Sequence, residues 1–191
     1  RWAHKPLNAP RPTGSAGPDT KDQGPRGNGG SIGPMPLPTP TLEPAFDLTV
    51  FVAAPLEAGD ITGLNSRGRR RIIPITGGTV SGRVNGAVLA GGADFQLVVS
   101  DTCADLDARY LLKLNDPAWP GAHVFVQNRA LRRGSAEDIA KLVRGEPVDP
   151  AAIYFRCAPS FEVSHSALAW LTESLFVGTG ARFPDRVEMR F

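Results

Sequence analysis

Ile72–Leu114 reads IIPITGGTVSGRVNGAVLAGGADFQLVVSDTCADLDARYLLKL, and this stretch decides the fold. Its short apolar runs, Ile72–Ile75, Ala87–Leu89, Phe95–Val99 and Tyr110–Leu114, are separated by glycine pairs and by Asp/Asn turns. Turns recurring every ~8–12 residues between such runs mark a curved antiparallel sheet or barrel. The strands also carry Asp94, Gln96, Asp107 and Arg109, where a plain core would hold Val or Ile. Burying a charge without a partner is costly, so such residues face solvent, pair with one another or line a polar cavity. The stretch predicts an all-β, antiparallel barrel with a small cavity.

Upstream, Ala45–Pro55 alternates Phe46, Leu48, Val50 and Val52 with Asp47, Thr49, Phe51 and Ala53, a first strand. Leu56–Arg70 reads as a polar loop, and the basic run Arg67, Arg69, Arg70, Arg71 as a solvated hairpin end, with a phosphate or carboxylate clamp as the alternative. Downstream, Asn115-Asp116-Pro117 makes a turn and Ala122–Arg129 a strand. One short helix is expected over residues 135–144, with Ser135 as N-cap, Ile139, Leu142 and Val143 on one face and Gly145 as the stop. Further strands are expected at Ala152–Cys157, Phe161–Val163, Ala169–Gly178 and Arg186–Phe191; the third could begin as a helical turn.

The chain has 191 residues, enough for one domain and a tail. Residues 1–40 hold nine of the 18 prolines and seven of the 21 glycines, so they are read as a disordered or extended arm preceding a domain at 41–191. Met35–Pro40 suits polyproline II, either as a linker or as a ligand for another domain. Five basic residues against Asp19 and Asp22 give the arm a charge of +3, which leaves the body at −1. A near-neutral body argues against a nucleic-acid surface. No apolar run approaches the ~20 residues of a membrane span, and no signal peptide is visible. Cys103 and Cys157 are read as free thiols rather than a bridge, since neither lies in a CxxC or Cys/His cluster. The compartment is not fixed by the sequence, with a cytoplasmic location slightly favoured.

Standard chemistry motifs are absent. Gly78-Thr79-Val80-Ser81-Gly82 has the wrong spacing for a nucleophile elbow, and Gly178-Thr179-Gly180 lacks the third glycine of a dinucleotide loop. His4, His123 and His165 are scattered, so no metal or redox cofactor is expected. What survives is the set of ionisable residues within strands. Asp94 follows Gly91-Gly92-Ala93, where the backbone can bend or approach a ligand, and Asp107 and Arg109 share a strand face. Arg156 lies between Phe155 and Cys157, and Glu162 follows Phe161. Singly these read as cross-strand salt bridges. Together, beside Phe95, Tyr110, Tyr154 and Trp170, they suit an apolar pocket with a few convergent polar groups.

Three segments carry a family resemblance: Pro74–Gly82 (PITGGTVSG), Gly86–Gln96 (GAVLAGGADFQ) and Asp107–Tyr110 (DARY). Tyr154–Glu162, Trp170-Leu171 and Leu175–Gly180 continue it. Over residues 42–191 the chain resembles the uncharacterised family DUF3237, also called UPF0311. The resemblance implies a calycin-like or lipocalin-like barrel with an open cavity, and no established reaction. Two departures bear on the pocket wall: Phe95 stands where the family usually has Trp, and Ser100-Asp101-Thr102-Cys103 where it has a Gly-bearing acidic turn.

The leading functional reading is a cofactor-independent acid/base enzyme, of isomerase, lyase or cyclase type, acting on a small, mostly apolar or aromatic organic molecule. Asp94 or Glu162 would be the general acid/base, Arg109 or Arg156 the oxyanion partner. Phe95, Tyr110, Tyr154, Trp170, Gly77 and Gly78 would contact the ligand. Alternatives are a non-catalytic carrier of a small hydrophobic ligand and a structural partner domain. No nucleic-acid or membrane partner is expected, and homo-oligomerisation is left open.

Overall fold

The computed structural model describes residues 37–191, of which Leu42–Phe191 form one compact unit. The reading of the arm lies outside the described residues over 1–36; residues 37–40 are exposed and belong to no helix or strand. Ten strands make one antiparallel sheet: β1 Phe46–Val52, β2 Leu56–Thr62, β3 Arg67–Gly82, β4 Gly86–Val88, β5 Ala93–Ser100, β6 Cys103–Leu114, β7 His123–Arg133, β8 Tyr154–Val163, β9 Gly178–Arg182 and β10 Arg186–Arg190. The sheet closes because β1 pairs with both β10 and β3. Two interruptions reduce the count around the barrel to eight. β1 and β2 lie end to end along β3, and β4 and β5 lie end to end between β3 and β6.

Alternation decides which side chains enter. Along β7, Val124, Val126, Asn128 and Arg132 are buried, whereas Phe125, Arg129, Leu131 and Arg133 are exposed. The same period of two runs through Phe155, Cys157, Pro159 and Phe161 of β8. The interior has two unlike ends. At one end Phe46, Phe161 and Phe191 meet edge to face, with ring centroids 5.5–6.3 Å apart, over Val84, Leu114 and Leu168. At the other, Arg71, Gln96 and Arg132 are buried and polar, near the cap formed by α1, Ala136–Arg144.

That helix forms where its sequence places it. The Asp138 amide donates to Ser135 Oγ at 3.0 Å, and Gly145 closes the C-terminus in the left-handed region at φ 76°. Elsewhere the expected boundaries need correction. Leu56–Arg70 is not a loop but a hairpin, turned by the Gly63 amide on the Ser66 carbonyl at 2.7 Å. Its polarity reflects exposure, since every β2 residue but Gly59 is exposed. The strands expected at Ala152–Cys157 and Phe161–Val163 are one strand, β8, which starts at Tyr154 after a 3₁₀ turn over Pro150–Ala152. Pro159 fits there because β9 pairs only with Arg156 and Cys157, so Pro159 needs no amide on that side. Ala169–Gly178 is not a strand: Ser166–Leu171 is a 3₁₀ turn, in which Leu168 and Leu171, three apart, bury together. Cys103 and Cys157 are both free. No helix among the described residues is long and apolar enough to cross a membrane.

Candidate functional site in the barrel interior

Asp94 owes its inward position to the gap between β4 and β5. Gly91 takes φ 104°, and a Cβ on Gly92 would lie 2.6 Å from Tyr110 Cβ, so only glycine lets the chain cross β6 this closely. The strand then resumes with Asp94 opposite Ile73 of β3 and Ala108 of β6, and Gln96 opposite Arg71. Asp94, Gln96 and Arg71 form a chain of bonds. Arg71 Nε donates to Gln96 Oε1 at 2.8 Å, and Gln96 Nε2 donates to Asp94 Oδ2 at 2.5 Å. Gln96 thus fixes one carboxyl oxygen. The other, Oδ1, is buried without a hydrogen-bond partner among the described residues.

Asp94 borders a cavity of about 40 Å³ inside the barrel, walled by Val50, Ile73, Ile75, Leu106 and Val187. A water needs only ~10–15 Å³ of such space, so the cavity admits a few waters or one small functional group. Tyr110, Asn128 and Arg182 also line it. The Tyr110 hydroxyl and Asn128 Oδ1 are buried without partners among the described residues, while Asn128 Nδ2 donates to Met189 Sδ at 3.2 Å. Three orphaned polar atoms therefore border one small space. Each such atom costs roughly 1–3 kcal/mol when left unpaired, so the arrangement favours a polar occupant, a water or a polar group of a ligand.

The electrostatics are strongly perturbed. Burial raises the Asp94 carboxyl above its ordinary range, opposed by the Gln96 hydrogen bond, by Arg132, by the Asp107 backbone amide and by Arg71. Burial also pushes the Tyr110 hydroxyl up, and the Cys157 thiol to about 11. Arg132 falls to about 10 through burial and repulsion by Arg71 and Arg182. One carboxyl stands among three guanidiniums, a setting suited to moving a proton at Oδ1 and stabilising negative charge beside it. Among the described residues, no three His, Cys, Asp or Glu side chains gather where a metal ion could sit.

Of the residues expected to converge, Asp94 and Tyr110 face this cavity. Arg109, Arg156 and Glu162 do not join them. Arg109 projects outward beside Asp107, Nη2 to Oδ2 2.9 Å, because β6 alternation sends Ala108 and Tyr110 inward. Arg156 is exposed, donating to Thr179 Oγ1 at 3.0 Å and lying over the Tyr154 ring at 5.1 Å. Glu162, Tyr154 and Phe95 are exposed. Trp170 packs on Phe176 at the apolar end, with the Arg83 guanidinium 4.0 Å above its ring. Gly77 and Gly78 lie on the seam joining β1 to β3, where a Cβ at Gly78 would strike the Thr49 carbonyl. The sequence reading missed Asn128, Arg132 and Arg182 as site residues. Extending the alternation of Val124 and Val126 would have found the first two; Arg182 was hidden by the misplaced strand before it.

The family model "Protein of unknown function (DUF3237)" matches residues 40–191. The UPF0311 protein of Bradyrhizobium diazoefficiens is 46% identical over 151 residues, covering 78% of this chain and 94% of its own. The crystal structure of a conserved protein of unknown function from Rhodopseudomonas palustris superposes with a TM-score of 0.70 at 43% identity, covering 80% of this chain and 97% of that one. A beta-barrel like protein from Acinetobacter baumannii gives 0.67 at 38% identity, covering 81% and 96%. A structure described as an enzyme from Penicillium herquei gives 0.53 at 21% identity, covering 83% and 98%, a likeness of fold alone.

Proposed function

This chain belongs to the DUF3237 (UPF0311) family, and we propose that its barrel interior is the site of a proton-transfer enzyme acting on a small, largely apolar organic molecule. The observation that carries this reading is the set of orphaned atoms, Asp94 Oδ1, Tyr110 Oη and Asn128 Oδ1, bordering one cavity with apolar walls. A barrel selected for stability alone would fill those positions with aliphatic side chains.

In this scheme ionised Asp94 takes a proton at Oδ1 from an acidic C–H or O–H of the substrate. The electron pair moves to a neighbouring carbonyl oxygen, where Arg182 and the Tyr110 hydroxyl stabilise the oxyanion. The same carboxyl then returns the proton: to another carbon in an isomerisation, to the leaving group as its bond to the β-carbon breaks in an elimination, or to the α-carbon once the deprotonated oxygen has bonded to the β-carbon of a conjugated carbonyl in a ring closure, in each case with no net exchange of electrons with the protein. A raised carboxyl suits this role, because a base works best when its pKa approaches the working pH. Gln96, held by Arg71, keeps the carboxyl from rotating and so positions Oδ1.

Solvent exchange tests the scheme. A panel of aryl ketones and β-keto esters is incubated with the protein in D₂O, and carbon-bound hydrogen exchange is followed by NMR. The wild type should accelerate exchange of at least one class, and Asp94→Asn should reduce that rate by about 10²-fold or more. Equal rates for the two proteins would sink the scheme. The apolar wall also suits a carrier; ligand binding without accelerated exchange in either protein would favour that second reading.

A further inference from the structure

A second space, of about 260 Å³, lies between α1 and the rim formed by β3, β5, β6 and β7. One wall is hydrocarbon, with Val98 and Ala104 from the barrel facing Ile139 and Val143 from the helix. The other is cationic, carrying Arg69, Arg71, Arg132 and Arg144 against a single acid, Asp101. Most of this charge is answered nearby. Arg144 pairs with Glu146 at 2.6 Å, and Arg69 and Arg71 share Glu57 at 3.9 Å. Arg132 is different. It is 5% exposed, takes part in no ion pair among the described residues, and its Nε is buried without a partner. An isolated guanidinium in such a place is expensive, and an anion bonded to it offsets that expense.

The two spaces are joined by residues rather than merely adjacent. Arg71 borders the outer pocket and, through Gln96, holds the carboxyl that borders the inner cavity. Arg132, a wall of the outer pocket, acts electrostatically on that same carboxyl. A molecule held in the outer pocket therefore meets Arg132 and Arg71 before it meets Asp94. The charge it would need is small. The four guanidiniums and Arg182 behind them, set against Glu57, Glu146, Asp101 and ionised Asp94, leave a single unanswered positive charge, which suits a monoanion.

We propose that the outer pocket is a carboxylate-binding subsite: Arg132, backed by Arg71, takes the carboxylate of an organic acid whose hydrocarbon body lies along Val98, Ile139 and Val143. The substrate class is thus an apolar or aromatic monocarboxylic acid, with the carboxylate anchored at the rim and the reacting end directed inward. That last clause rests on the acid/base reading of Asp94; the carboxylate anchor does not. The planar fork of arginine accepts a carboxylate through two parallel bonds, which fixes the orientation of the acid as well as holding it. At about 260 Å³ the pocket takes a body of on the order of ten non-hydrogen atoms, the size of a substituted aromatic acid.

Calorimetric titration of the whole chain with cinnamate and with cinnamamide, at pH 7 and low salt, separates charge from shape. Cinnamate should bind at least tenfold more tightly than the amide. In Arg132→Met that preference should shrink to within about twofold, because the hydrocarbon wall remains, whereas Arg132→Lys should keep part of it. Val143→Glu places an acid at an exposed helix position on the hydrocarbon wall; it should weaken the amide about twofold and cinnamate several-fold more, so that the preference for the acid shrinks without disturbing a buried residue. Equal binding of acid and amide, no saturable binding of either, or a preference that survives Arg132→Met overturns the subsite. In Asp94→Asn the preference should persist. Its persistence without any hydrogen exchange in the wild type would sink only the acid/base reading, and its loss in Asp94→Asn would move the anion contact inward and overturn the subsite.

Discussion

Replacing Tyr110 by Phe should make this protein more stable. The side chain is 2% exposed, and its hydroxyl is buried against the inner cavity with no hydrogen-bond partner. A hydroxyl taken from water without compensation costs about 1–3 kcal/mol, and Phe removes that cost while keeping the ring. The opposing effect is small: losing one oxygen enlarges the cavity by roughly 10 Å³, which at ~24 cal/mol per Å³ is about 0.2 kcal/mol. The net gain is then about 1–2 kcal/mol. For a domain of this size it corresponds to a rise in Tm of roughly 2–8 °C. In urea the midpoint should move upward by about 0.5–1 M with an unchanged slope, because the surface exposed on unfolding is the same. Denaturation followed by tryptophan fluorescence and by circular dichroism measures both quantities. A loss of about 1 kcal/mol or more in Tyr110→Phe would refute the reasoning, since it would mean that the hydroxyl is fully bonded and serves the fold.

Stability should fall as pH rises through the elevated range of Asp94. A folded-state pKa raised above 3.8 means that the native state holds the proton more tightly than the unfolded chain, so its contribution is full below that value and is lost as the carboxyl ionises. Asp94→Asn should remove this component of the slope, as denaturation at successive pH values will show; an unchanged profile would contradict the burial of the carboxyl. Asp107, whose pKa is lowered by its bonds to Arg109 and Gln127 against the opposing effect of burial, acts in the reverse sense: it stabilises above 3.8 and loses that contribution as pH drops through its depressed value. Arg109→Ala should leave Tm within about 1 °C and hydrogen exchange untouched, because the guanidinium is half exposed and screened and Asp107 keeps Gln127 and Arg129 as partners; abolished exchange would place Arg109 in the site after all. Gly78→Ala should destabilise by more than about 2 kcal/mol, since the position combines φ 148° with a backbone carbonyl in the space of the new methyl; a near-neutral result would mean that the β1–β3 seam can open locally.

The barrel was legible because turn spacing and alternation are properties of neighbouring residues. Ser135 and Gly145 likewise bracket a helix that needs no knowledge of its surroundings. Sidedness was harder to read. Asp94 and Arg109 both interrupt apolar runs, and nothing local distinguishes the one that enters from the one that leaves; the glycine crossing at Gly91-Gly92 decides it, through contact with a strand some 18 residues later. Arg132 and Arg182 sit near strand ends, where charged residues ordinarily mark the start of solvent. They became interior because α1 covers one rim, and because β9 begins after the 3₁₀ turn rather than within it. Arg156 and Glu162 show the opposite error. Flanking aromatic residues made them look enclosed, yet on a strand the neighbours of a buried ring face outward.

The division of the interior into an aromatic end and a charged end has a consequence for how such a protein can change. The edge-to-face rings of Phe46, Phe161 and Phe191 and the aliphatic packing around them concentrate the apolar contacts away from the rim. Substitutions around α1 and the nearby strand termini consequently draw on little of the folding free energy. Specificity can drift at one pole while the other supplies a reserve of thermodynamic tolerance, so new ligand preferences are reachable by single steps that never pass through an unfolded intermediate sequence.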